Sequence, residues 1–187
     1  MSNSIKPPSK TATMIPIDDP RRALTVANAD SPGMRHVCIA GDTYTILVGG
    51  AETVGRYCLI DMYIPAGGGP PPHRHDFEEM FTLLEGSLEF SFRGETSTVH
   101  AGTTVNIPAN APHAFRNESG ATVRMLCMAS PAGLDAFFLE VGDLVDSRTA
   151  PPPKLTPEEI DARQKKAASV LAKYRTEILV SSNHPGR

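Results

Sequence analysis

The sequence is poor in several features, and each shortage removes a class of function. Its 187 residues hold three cysteines, Cys38, Cys58 and Cys127. They lie far apart, form no CxxC pair and each sits in an apolar stretch, which reads as buried free thiols in a reducing compartment. There is no basic excess: 18 Lys+Arg stand against 21 Asp+Glu, a net charge of −3. A nucleic-acid or anionic-membrane partner is therefore not expected. The opening residues "MSNSIKPPSKTATMIPIDDPRR" lack the apolar run of about 7–15 residues that makes a signal peptide. Nothing approaches the ~18 apolar residues of a membrane span. A cytoplasmic protein is expected, and no internal repeat or low-complexity tract stands out.

What is abundant is punctuation. Seventeen prolines and 15 glycines break the chain into short pieces, which suits many strands rather than long helices. The length fits one domain. From residue 35 to 130, runs such as "HVCIA", "YTILV", "RYCLIDMYI", "EMFTLL", "TTVNIP" and "TVRMLCMA" end at Gly, Pro, Asn or Asp about every 8–12 residues, the pattern of a sandwich or barrel. In "SLEFSF" Leu88, Phe90 and Phe92 share one face, and "RGE" at 93–95 makes a hairpin connection to "TSTVH". Residues 1–34 read as an N-terminal arm, with a short strand near Thr25 and Val26. Residues 131–187 read as a C-terminal helical extension. "PAGLDAFFLEVGDLV" predicts a short helix. After the stiff spacer "PPPK", Thr156 caps a longer one, with Pro157 at the first position and Glu159 completing a capping box. Ile160, Ala167, Leu171, Tyr174 and Ile178 are expected to form one apolar stripe on that helix.

"PPPHRHDFEEMFTLLEG", residues 70–86, carries the chemistry. Residues i and i+2 of a strand point the same way, so His73 and His75 can converge on one ion while Arg74 faces out. On a straight strand Glu79 would lie another ~13 Å along, so Asp76-Phe77-Glu78 must turn the chain back. Spacing alone does not choose between Glu78 and Glu79. A second segment, "GTTVNIPANAPHAFRN" (102–117), offers His113 at the start of a strand.

Together these segments resemble the cupin superfamily. Its first motif, G, five residues, HxH, three or four residues, E, six residues, G, is matched by Gly67, His73, His75, Glu79 and Gly86. Its second, G, five residues, PxG, two residues, H, three residues, N, is matched by Gly102, Pro108, His113 and Asn117. Asn110 replaces the second glycine and is the residue that best substitutes for it at positive φ. The resemblance covers roughly residues 40–130. It implies an all-β fold, a double-stranded β-helix (jelly-roll) barrel, enclosing one divalent metal held by His73, His75, Glu79 and His113. Glu78 would leave too few residues after HxH, so Glu79 is the implied ligand. Three nitrogens and one hard oxygen suit Fe, Mn, Ni, Cu, Co or Zn rather than Ca or Mg.

The further resemblance to quercetin-dioxygenase-like cupins implies a dioxygenase for a small phenolic, enol or diketone. In such proteins the matching glutamate, here Glu79, is also catalytic, taking a proton from the substrate. The same ligand set would serve an isomerase, decarboxylase or lyase, or a binding module without turnover. The family also implies a homodimer. Phe77, Phe81, Phe115, Met125 and Met128 are candidates for core or cavity wall, and Tyr44 and Tyr57 for orienting a substrate. His36, His100 and His184 lack partners at ligand spacing.

Overall fold

A computed structural model describes residues 15–179. Among these residues, twelve strands build two antiparallel sheets. They are β1 (Arg35–Ile39), β2 (Asp42–Val48), β3 (Cys58–Ile64), β4 (His73–His75), β5 (Glu78–Glu85) and β6 (Ser87–Phe92). Then follow β7 (Glu95–His100), β8 (Thr104–Ile107), β9 (His113–Arg116), β10 (Val123–Ser130), β11 (Asp143–Val145) and β12 (Thr176–Ile178). Helix α1 (Gly50–Thr53) is a single turn, α2 spans Leu134–Val141 and α3 spans Pro157–Val170. One sheet runs β11-β1-β2-β3-β10-β5-β8 and the other β12-β4-β9-β6-β7. Facing sheets of this kind form the expected jelly-roll barrel.

The core follows from alternation. Along β10, Val123, Met125, Cys127 and Ala129 are buried while the residues between them are half-buried. On β5 the inward set is Glu79, Phe81 and Leu83. Phe81, Phe90 and Phe115 meet with centroids 5.5 to 5.7 Å apart. All three cysteines are buried and free. No helix among the described residues is long and apolar enough to cross a membrane.

Two expectations need correction. No strand forms at Thr25 and Val26: residues 23–28 are irregular, and Leu24 and Val26 are 89% and 87% exposed. An alternating segment with no partner strand gains nothing from extension. The long helix has its predicted start, with the Glu159 amide donating to the Thr156 hydroxyl and the Thr156 amide to the Glu159 carboxylate. It stops at Val170, however. Leu171–Tyr174 tighten into a 3-10 turn, Arg175 turns left-handed at φ 53°, and Thr176–Ile178 become β12. β12 pairs antiparallel with β4, whose edge would otherwise present unpaired backbone groups. Ile178 thus leaves the stripe. The short helix at Leu134–Val141 lies where the sequence predicts.

Candidate metal centre

β4 is three residues long, with His75 buried, His73 half-buried and Arg74 exposed, where it pairs with Glu177. The chain breaks its extended path at Asp76 and Phe77 and resumes as β5, which returns Glu79 to the histidines. His113 opens β9 directly opposite His73. Asn110 adopts φ 67°, and its amide donates to the His75 carbonyl at 2.6 Å. The Asn-for-Gly exchange is therefore made where a positive φ is needed. Asn117, fully buried, joins the two motifs: its amide donates to Gly68 and its carbonyl accepts from Gly67. Gly69, at φ 125°, passes so close to the Phe115 carbonyl that a Cβ would strike it.

One ligand atom from each of His73, His75, Glu79 and His113 lies within 4.8 Å of all the others. Opposite ligands on an ion stand about 4.2 Å apart at bond lengths near 2.1 Å, so contraction by a few tenths of an ångström closes the set. The ring orientations favour an ion. Each Nδ1 lies 2.9 Å from a backbone carbonyl: Pro71 for His73, Phe77 for His75 and Ala111 for His113. A carbonyl only accepts, so each Nδ1 carries the proton and each Nε2 of a neutral ring is a lone pair. Yet the Nε2 atoms of His75 and His113 both face Glu79 Oε2, at 2.9 and 3.2 Å. Lone pairs facing a carboxylate repel unless a proton or a cation lies between them. The donor set therefore fits a divalent ion, which would displace those protons.

The titration behaviour agrees. Burial acts to raise the Glu79 carboxyl, but hydrogen bonds from His113 and His75 outweigh it and hold the group well below the usual carboxylate range. Burial acts to lower His113, and the bonds to Glu79 and the Ala111 carbonyl raise it overall. His73 is pushed down to about 4, by burial first and the neighbouring His113 second. Glu78 points elsewhere: exposed, it accepts from the Asn106 side chain and the Ala109 amide, both at 3.1 Å.

A model of the cupin domain matches residues 60–129 of this chain. Residues 60–129 form a cupin domain. The chain is 28% identical over 109 residues to quercetin 2,3-dioxygenase of Bacillus subtilis, covering 58% of this chain and 32% of that protein. It is 28% identical over 122 residues to auxin-binding protein 1 of Arabidopsis thaliana, covering 60% of this chain and 58% of that protein. The chain thus spans less than two thirds of either relative. A predicted oxalate decarboxylase of Thermotoga maritima superposes with a TM-score of 0.50 at 16% identity, covering 57% of this chain and 98% of that one. That last likeness is one of fold.

In this cupin the cluster opens into a cavity of about 410 Å³ walled by Phe81, Phe115, Phe137, Phe138 and Met62. Of the apolar candidates from the sequence, Phe81 and Phe115 reach the cavity. Phe77 stacks on His75 with centroids 3.7 Å apart, and Met125 is core. Tyr44 lines the cavity and Tyr57 is exposed. His36 is buried against Thr45, His100 is exposed, and His184 lies outside the described residues. Gln164, Ala167, Leu171, Thr176 and Ile178 close the cavity from residues 157–178; Ala167, Leu171 and Ile178 belong to the apolar stripe the sequence predicts, but what that stripe faces is not local information.

Sequence reasoning also missed Asp42, a buried cavity residue two positions before Tyr44 on β2; the polar i, i+2 pair in "DTYTILV" was the available signal. Its Oδ2 accepts from the Tyr44 hydroxyl and the Gly69 amide, both at 3.1 Å, while Oδ1 has no partner among the described residues. Burial pushes its carboxyl up to about 6, against the pull of Tyr44, Gly69 and Arg116. Below its ordinary value of 3.8 the folded and unfolded chains both hold the proton. Between there and about 6 only the folded chain does, so this contribution to stability is lost as pH rises. The expected loss is about 3 kcal/mol, at about 1.4 kcal/mol per unit. Urea unfolding of Asp42→Asn and wild type should diverge across this window in favour of the variant. Parallel curves would refute it.

Proposed function

We propose that this cupin is a metal-dependent dioxygenase whose substrate is a small phenolic, enol or diketone that chelates the ion. The observation carrying the proposal is the meeting of three imidazoles and one carboxylate at the wall of an aromatic-lined cavity. His73, His75, Glu79 and His113 would hold the ion, one of Fe, Mn, Ni, Cu, Co or Zn. The sequence likeness to quercetin 2,3-dioxygenase supports the reading. When bound, the ion supplies Lewis-acid polarisation of a chelating oxygen and a centre for dioxygen.

The chain's own residues do the rest. Phe81, Phe115, Phe137 and Phe138 favour a flat apolar molecule and displace water around it. Tyr44, stacked on Phe138 with centroids 4.2 Å apart, holds a rigid wall. Glu79 would be the acceptor for a substrate hydroxyl proton, a role for which its carboxyl must rise from the low range that the His75 and His113 hydrogen bonds give it. A positioned base of this kind contributes about 10²–10⁴-fold.

The test is oxygen uptake by protein loaded in turn with Fe, Mn, Ni, Cu or Co, against flavonols and β-diketones. Stoichiometric uptake with substrate loss is expected for at least one pair. Uptake with none defeats the proposal. Anaerobic turnover of the same compounds would instead favour an isomerase, decarboxylase or lyase in which the ion is only a Lewis acid.

A further inference from the structure

We infer that Cys127 is a positioning residue for Glu79, fixing which carboxylate oxygen the cluster can use. The inference deepens the metal reading and rests on it.

Glu79 presents only Oε2 to the histidines, His75 and His113. Its other oxygen, Oε1, accepts from the Cys127 thiol at 3.3 Å and has no other hydrogen-bond partner among the described residues. The geometry comes from the sheet. On β10 Ala129 stands opposite Glu79 and Cys127 opposite Phe81, so Cys127 lies diagonally beside Glu79 on the inward face. Cys127 is fully buried among apolar neighbours, Met125 and Phe81 included. In this contact the thiol is the donor and the carboxylate oxygen the acceptor.

The consequence concerns a soft torsion. The last torsion of a glutamate is broad and roughly two-fold, so an unrestrained carboxylate can swing both oxygens toward a cation. The thiol resists that swing by engaging Oε1. Glu79 then offers one oxygen instead of two, and the space a second would take stays available to a chelating ligand. No other cysteine does this: Cys38 and Cys58 make no bond to the cluster.

The test uses the full chain, stripped of metal and titrated with Co(II) without any organic ligand. Cys127→Ala removes the donor at small cost in volume, and Cys127→Ser restores one. An outer partner of a metal ligand alters metal affinity by about 10–100-fold, so the Co(II) affinity of Cys127→Ala should differ from wild type by at least about tenfold. Its visible spectrum should also change as the second oxygen enters, while Cys127→Ser stays near wild type. Equal affinity and spectrum for Cys127→Ala and wild type would overturn the inference. So would an equal defect in the Ala and Ser variants, which would assign the effect to packing.

A second measurement needs no ion. The infrared S–H stretch of Cys127, assigned by its loss in Cys127→Ala, should move to higher wavenumber in Glu79→Ala. A band that stays in place overturns the inference. The two readings fail separately. A protein that binds Co(II) but consumes no oxygen fails the dioxygenase reading alone, and one that binds no Co(II) leaves the S–H stretch to decide.

Discussion

Glu79→Ala is expected to abolish stoichiometric binding of a divalent transition ion, and Glu78→Ala, one residue away, to leave it intact. The contrast follows from β5. Alternation turns Glu79 to the buried face, where Oε2 lies within 3.2 Å of two imidazole nitrogens, and turns Glu78 outward to Asn106 and Ala109. The Glu79 carboxylate is also the cluster's only negative charge, so its loss leaves only neutral imidazole donors for a dication. The effect should exceed the about 10–100-fold that follows loss of an outer partner. His113→Ala should behave like Glu79→Ala. Metal content by elemental analysis after dialysis reads the result directly. Retention by Glu79→Ala with loss by Glu78→Ala would mean that the cluster is assigned to the wrong carboxylate.

The second large effect is on stability. Asp61 is 1% exposed on β3, and its only cationic partner among the described residues is Arg124 on β10, with Nη2 2.6 Å from Oδ2 and Nε 3.0 Å from the same oxygen. Removing one member of a buried pair strands the other charge and costs about 3–5 kcal/mol. Arg124 is partly exposed, so the lower end applies to Arg124→Ala. At about 2–4 °C per kcal/mol for a chain of this size, the melting temperature should fall by roughly 6–12 °C. The double variant Asp61→Leu, Arg124→Leu should recover much of that loss, since the buried charge goes with its partner. If the double variant melts no higher than Arg124→Ala, the cost lies in packing rather than in the stranded carboxylate.

How much of this was legible depended on the range of the interaction. His73, His75, Glu79 and His113 could be read because their spacing is tied to two short local devices, the break at Asp76 and Phe77 and the turn at Asn110. The Arg93–Gly94 hairpin and the Thr156 cap are likewise local, and both form as the residues dictate. The end of the long helix was not legible. Nothing between Val170 and Thr176 is a Gly or Pro stop signal, and what ends the helix is the open edge of β4, distant in sequence. The closure of the cavity by Ala167, Leu171 and Ile178 has the same cause. Cys127 escaped because a thiol on an apolar strand looks like filler. Its bond to Glu79 exists only once β5 and β10 pair.

The pairing of β12 with β4 also sets a clock. His73–His75 meets β9 at one residue pair, His73 with His113, but meets β12 along all three of its residues. Thr176 leaves the ribosome about a hundred residues after His75, and at about 5–20 residues per second that is roughly 5–20 s later. Until then the strand bearing two of the four clustered side chains lacks its main neighbour. An ion arriving in that interval would find histidines not yet held in place.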